Sequence, residues 1–199
     1  MLKTPYNDNG LTAEQKKEKL EKNFKEIMET LGLDLTDDSL CDTPRRLSKM
    51  YVDELFCGLD EKSFPKMTTI ENKMGLTQMV LIKNIKVMSV CEHHFQPIHG
   101  RCSIAYVPKN KVLGLSKFNR IVNHFSRRPQ VQERLTNQIA DKLQEVLGTD
   151  NIAVYIDAKH YCVISRGIED ENSSTSTCEV RGVFLNDPAA RAEFFSAAK

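Results

Sequence analysis

The chain has 199 residues, with 28 Lys and Arg against 27 Asp and Glu, for a formal charge of +1. That length predicts one domain with at most an appendage, and 40% hydrophobic beside 28% charged residues excludes a disordered chain. No apolar run reaches the ~18 residues of a membrane span, MLKTPYNDNG offers no signal core, and near-neutrality speaks against a nucleic-acid partner. The expectation is a soluble, cytoplasmic protein with neither a membrane nor a nucleic-acid partner.

In chain order, Thr12 with Gln15 predicts a capping-box helix start, and Leu20, Phe24, Ile27, Met28 and Leu31 follow at helical spacing to Gly32. A second helix is predicted from Thr43 as N-cap and Pro44 in the first turn, with Leu47, Met50, Tyr51 and Leu55 as its stripe. Residues 58–76 show no period and read as a connection. Residues 78–90 and 101–107 read as strands. Phe118, Ile121, Val122 and Phe125 then form one helical stripe. Val131, Leu135, Ile139, Leu143, Val146 and Leu147 form another, after Pro129 and up to Gly148. Period 2 returns at 151–158, 160–166 and 179–184, and Asp187-Pro188 opens a last helix with Phe194 and Phe195. The order β-β-α-α-β-β behind an N-terminal helical pair predicts an α+β fold, an antiparallel sheet with helices on one face. Such a sheet leaves edges unpaired, and oligomer formation is the expected remedy. The division expected is 1–60 helical region, 61–76 connecting loop and 77–199 catalytic domain.

The charge is uneven along the chain. From Arg101 to Arg134 eight basic residues face one acid, Glu133, so this stretch carries +7 and the remainder −6. A local field of that sign attracts an anion. The aromatics there are Tyr106, Phe118 and Phe125, the two Phe at core spacing, too few to argue for an RNA-binding module.

Six cysteines stand at 41, 57, 91, 102, 162 and 178, too scattered for a disulfide framework in a chain this size. Cys91-Glu92-His93-His94 gives Cys-x-x-His spacing, and His160-Tyr161-Cys162 offers a complement. Two thiolates and an imidazole suit Zn2+. With three protein ligands the fourth position stays open, the mark of a catalytic zinc, which brings water to a pKa of ~7. Spacing leaves open which of His93 and His94 binds. On a strand, His160, Cys162, Ile164 and Arg166 would share one face. In GLSKFNR, Ser116 is a candidate N-cap, with Lys117 and Arg120 as a cationic pair near a helix N-terminus, an anion-type arrangement. Glu133, beside Gln132, offers a carboxylate able to accept two parallel hydrogen bonds. Guanine presents that donor pair and adenine does not.

VCEHH, GLSKFNRIV, SRRPQVQERLT and HYCVISRG, in this order, resemble GTP cyclohydrolase I, and the resemblance runs from TPRRLSKMYVDELFCGL to the C-terminus. It implies a tunnelling fold whose subunits form a homodecamer with active sites between subunits. It implies conversion of GTP and water to 7,8-dihydroneopterin triphosphate and formate. Matched motif by motif, Cys91, His94 and Cys162 become the zinc ligands. His160 protonates the base, His93 carries protons for ribose opening, and Ser116 lies near the sugar. Glu133 and Gln132 hold the pyrimidine edge. Lys117, Arg120 and Arg166 hold the triphosphate, with Arg46 and Lys49 as further phosphate candidates. The chain departs from the family pattern at Cys178-Glu179-Val180-Arg181-Gly182, which introduces a thiol and a charge pair. The alternative is a non-catalytic zinc protein that binds a phosphorylated ligand, its metal closed by Cys178 or His93.

Overall fold

The computed structural model describes residues 3–198. Helix α1 (Ala13–Thr30) begins with the reciprocal cap in which Thr12 and Gln15 satisfy each other's backbone N–H groups. Its stripe divides: Met28 is buried, whereas Ile27 and Leu31 are 52% and 70% exposed. Helix α2 (Thr43–Lys49) starts one residue earlier than expected, with Asp42 in the cap position and Pro44 in the first turn. It runs on as a turn of π-helix (Met50–Leu55). The connection after it is not featureless. Strand β1 (Thr69–Glu71) pairs antiparallel with β4 (Lys111–Leu113).

The main sheet contains β2 (Val80–Cys91), β3 (Pro97–Tyr106), β5 (Pro129–Gln130), β6 (Ile152–His160) and β7 (Thr175–Val180), in the order β5-β2-β3-β6-β7. All pairs are antiparallel except β5 with β2. Helices α3 (Leu115–Ser126) and α4 (Gln132–Leu147) bury Phe118, Ile121, Leu135, Ile139 and Leu143 against one face, on Ile98, Ile104, Val154 and Ile156. On the other face, α6 (Val183–Asn186) and α7 (Pro188–Ala198) cover Ala105 and Ala153 with Phe184 and Phe194. The molecule is α+β, and no described helix is long and apolar enough to cross a membrane.

Two of the expected strands are displaced, each for its own reason. Residues 160–166 are not a strand: His160 ends β6, and residues after it curl into a helical turn, α5 (Tyr161–Ile164). The pairing partner of His160 is Ile98, one residue from the start of β3, so residues beyond His160 have little neighbouring strand to pair with. The alternation of His160, Cys162, Ile164 and Arg166 on one face therefore does not occur. The fourth long strand is 175–180 instead of 179–184. It stops where Gly182 adopts φ 56° and Asn151 accepts a hydrogen bond from Val183 N at 2.9 Å.

Candidate active site

At the end of β2, Cys91 is buried and the chain reverses sharply. Phe95 N donates to Cys91 O (2.9 Å), Cys91 N donates to Gln96 O (2.8 Å), and Phe95 takes φ 53°. This turn folds His94 back over Cys91. Across the sheet, α5 carries Cys162 towards the same point. One ligand atom from each of Cys91, His94 and Cys162 lies within 4.8 Å of the other two. His93 is exposed, with Nδ1 at 3.6 Å from Cys91 Sγ. Burial, followed by the adjacent Cys91 thiol, pushes the Cys162 thiol up. Two thiolates this close repel each other, and a soft divalent cation removes the repulsion, so the donor set fits a zinc-type ion. Arg166 Nη1 donates to His94 Nε2 at 3.1 Å.

His160 is tied to the start of α4. The Gln132 Nε2 group donates to Ile156 O (3.2 Å), Thr175 O (2.7 Å) and Thr177 Oγ1 (3.1 Å), all able to accept. That set orients the amide so that its oxygen faces His160 and accepts from Nε2 at 2.8 Å. Gln132 is 1% exposed, and its amide is consumed inside the chain. Glu133, the next residue on the same turn, points to solvent. Burial lowers the His160 pKa, and the Glu133 carboxylate opposes that shift.

The second constellation differs from expectation. Gly114, not Ser116, occupies the N-cap of α3, and no side chain caps it. Ser116 and Arg120 are exposed and Lys117 half-exposed. These three also lie at the wrong end of the sheet to meet the cysteines of their own chain. Phe118 stacks on Tyr106 at 5.5 Å, and Tyr106 pairs with Val80, the first residue of β2. Cys91 is eleven residues further along, ~36 Å of strand. Arg46 and Lys49 are exposed on α2, where Arg46 lies 3.7 Å from Asp42. The π-helical continuation of α2 reaches the ligand turn through Tyr51, 6.1 Å from the Phe95 ring.

The +7 stretch is not one field. Arg128 is 4% exposed and bonds Gly58 O and His124, while Arg134 pairs with Glu92. The unexpected Glu179–Arg181 pair is also internal: Arg181 holds Glu179 (2.9 Å), Asp141 (2.7 Å) and Gln144 (2.7 Å), joining β7 to α4. Cys178 pairs with Tyr155, five residues back along β6 from His160 and hence ~17 Å along the strand from the ligands. That distance removes it as a fourth ligand. Sequence reasoning missed Arg134, Gln130 and Thr177. Their partners lie 4 to 45 positions away with no repeating period, and a charge-sign complement between Glu92 and Arg134 was the only signal.

The family model described as GTP cyclohydrolase I matches residues 20–199. A GTP cyclohydrolase 1 of Tolumonas auensis is 55% identical over 99% of this chain and 91% of its own length. One from Shewanella sp. (strain ANA-3) is 54% identical over 100% of this chain and 92% of its own. One from Vibrio parahaemolyticus is 55% identical over 97% and 89%.

Proposed function

The chain belongs to the GTP cyclohydrolase I family, and from that premise we propose how its residues divide the conversion of GTP and water to 7,8-dihydroneopterin triphosphate and formate. The observation that carries the reading is the convergence of Cys91, His94 and Cys162 beside a histidine, His160, that an internal amide holds in place. Cys91, His94 and Cys162 would hold a zinc ion, which when bound supplies Lewis acidity and a water-derived nucleophile at neutral pH.

The chain's own groups do the rest. Glu133 accepts the N1–H and exocyclic amine of guanine, a task left to it alone because the Gln132 amide is committed to His160, Ile156, Thr175 and Thr177. Since Nε2 of His160 donates to Gln132, its Nδ1 is the nitrogen that exchanges a proton with N7 of the base, which makes C8 electrophilic before it leaves as formate. His93, exposed beside Cys91, moves protons during ribose opening. Ser116 lies by the sugar. Lys117, Arg120 and Arg166 bind the triphosphate, with Arg46 and Lys49 supporting.

That distribution requires more than one subunit. Ser116, Lys117 and Arg120 sit at the Val80–Tyr106 end of the sheet and the thiolates at the other, so a neighbouring chain completes each site. The tunnelling fold and the homodecamer agree with this, as do the outer edge of β7, unpaired among the described residues, and the exposed Ile27 and Leu31. We take residues 77–199 as the catalytic unit, 1–60 as the helical region, 61–76 as the connection, and the cytoplasm as the compartment.

The test is direct. Zinc-loaded protein under reducing conditions releases formate from GTP and forms a product that fluoresces after oxidation. Cys162→Ser loses bound zinc and turnover together. Absence of formate from the metal-replete wild type, or full activity of Cys162→Ser, overturns the reading.

A further inference from the structure

Residues 129–134 touch both arms of the proposed metal site. Strand β5 pairs with the end of β2, placing Gln130 beside Cys91, and Glu92 N donates to Gln130 O at 3.0 Å. Two residues on, Gln132 holds His160, itself two residues before Cys162. Two residues further, Arg134 reaches back to the first arm. Its guanidinium donates to the Glu92 carboxylate, to Pro129 O (3.2 Å) and to Gln130 Oε1 (3.0 Å). The anchor below it is rigid: Gln130 is 0% exposed, and its amide donates to Phe125 O and Gln138 Oε1, both at 2.8 Å.

We propose that Arg134 is a positioning residue for the metal, acting through Glu92. Its guanidinium fixes the turn that carries Cys91 and His94 at the separation from Cys162 that ligation requires. The proposal rests on Cys91, His94 and Cys162 being the metal ligands.

The physical argument concerns the turn. Residues 92–94 lie beyond the last β2–β3 pair, Val90 with Pro97, and both histidines face solvent. Such a turn would sample several conformations, and each ion bound would have to select one. A charge-assisted hydrogen bond whose side chains are 12% and 23% exposed is screened far less than a surface pair. Glu92 lies between the ligand Cys91 and the proton carrier His93, so holding its carboxylate sets the path of the backbone through both.

The experiment measures zinc affinity of the full chain by competition with a chromogenic chelator, and Co2+ absorption as a report on ligand geometry. Outer partners of metal ligands typically tune affinity by ~10–100-fold. Arg134→Gln and Glu92→Gln should each weaken Zn2+ by that factor and alter the Co2+ spectrum, while circular dichroism of the metal-free protein stays unchanged. The double variant should be no weaker than the worse single one, because both remove the same pair. Arg134→Lys keeps the charge but not the fork, so it should show a smaller loss and covers the case in which Arg134→Gln fails to fold. Affinities within twofold of wild type, an unchanged Co2+ spectrum, or additive losses in the double variant overturn the proposal. A wild-type chain that binds no zinc overturns the ligand assignment itself, and the two failures are thereby distinct.

Discussion

Gln132 and Glu133 are adjacent in sequence and opposite in task. At ~100° per residue, consecutive positions on a helix face different ways. The first turn of α4 sends Gln132 into the core, to hold His160, and leaves Glu133 at the surface where a purine edge can meet it. In the proposed function this carboxylate alone reads guanine. Glu133→Ala should lower kcat/KM for GTP by at least ~100-fold, because a site built to accept two hydrogen bonds loses both. Zinc content and circular dichroism should match wild type. Steady-state kinetics with metal analysis decide it, and undiminished turnover would move base recognition elsewhere.

At the scale of elements, the close approach of β3 to β6 is set by a missing side chain. Gly100 sits between Val87 of β2 and Ala158 of β6, and a Cβ there would collide with the Asp157 carbonyl and with Ala158. Ala158 is two residues from His160, so any widening is passed to the α5 turn bearing Cys162. Gly100→Ala should destabilise the fold by ~1–3 kcal/mol, the usual cost of overpacking, seen as a lower urea midpoint. The strands that bound this region were visible in the alternation of 151–158 and 101–107, and the helices in their stripes. The turn at 161–164 was not visible. HYCVISR alternates as well as any strand, and only the end of β3 near Pro97 shows that there is nothing left to pair with.

At the scale of the whole molecule, the N-terminal region docks on the end of α3 through buried polar groups. Gly58 N donates to Arg127 O (2.8 Å), Arg128 bonds Gly58 O, and Arg128 also donates to His124 Nε2 (2.7 Å). Phe24, Tyr51, Phe56 and Phe95 continue this junction as a chain of ring contacts to the ligand turn. Burial, then the charges of Arg128 and Lys142 with Asp60 opposing, lower the His124 pKa to about 4. In the unfolded chain this histidine titrates near ~6.5. Below that value the unfolded state takes up a proton that the folded state refuses, so stability falls with pH until about 4 and is then level. The loss over that window is about 3 kcal/mol from this group. His124→Gln keeps an acceptor for Arg128 but removes the titration. Urea unfolding from pH 4 to 7 should show a shallower slope for the variant, and identical slopes would place the titration elsewhere.

The sequence by itself determined the chemistry on offer: two Cys-His clusters suited to zinc, one acid in a basic stretch, helices and strands from their periods, and a family through four ordered motifs. Those are properties of residue type and local spacing, which survive in any reading of the chain. Only the tertiary structure decided that Gln132 serves His160 and that Arg134 holds Glu92. It also placed Ser116, Lys117 and Arg120 at the end of the sheet remote from the cysteines. Each depends on where a strand ends or on partners tens of residues apart, and neither is written in a local period. The charge sum of +1 hid a +7 stretch, and folding divided that stretch again, turning Arg128 and Arg134 to internal partners and leaving Lys117 and Arg120 towards solvent.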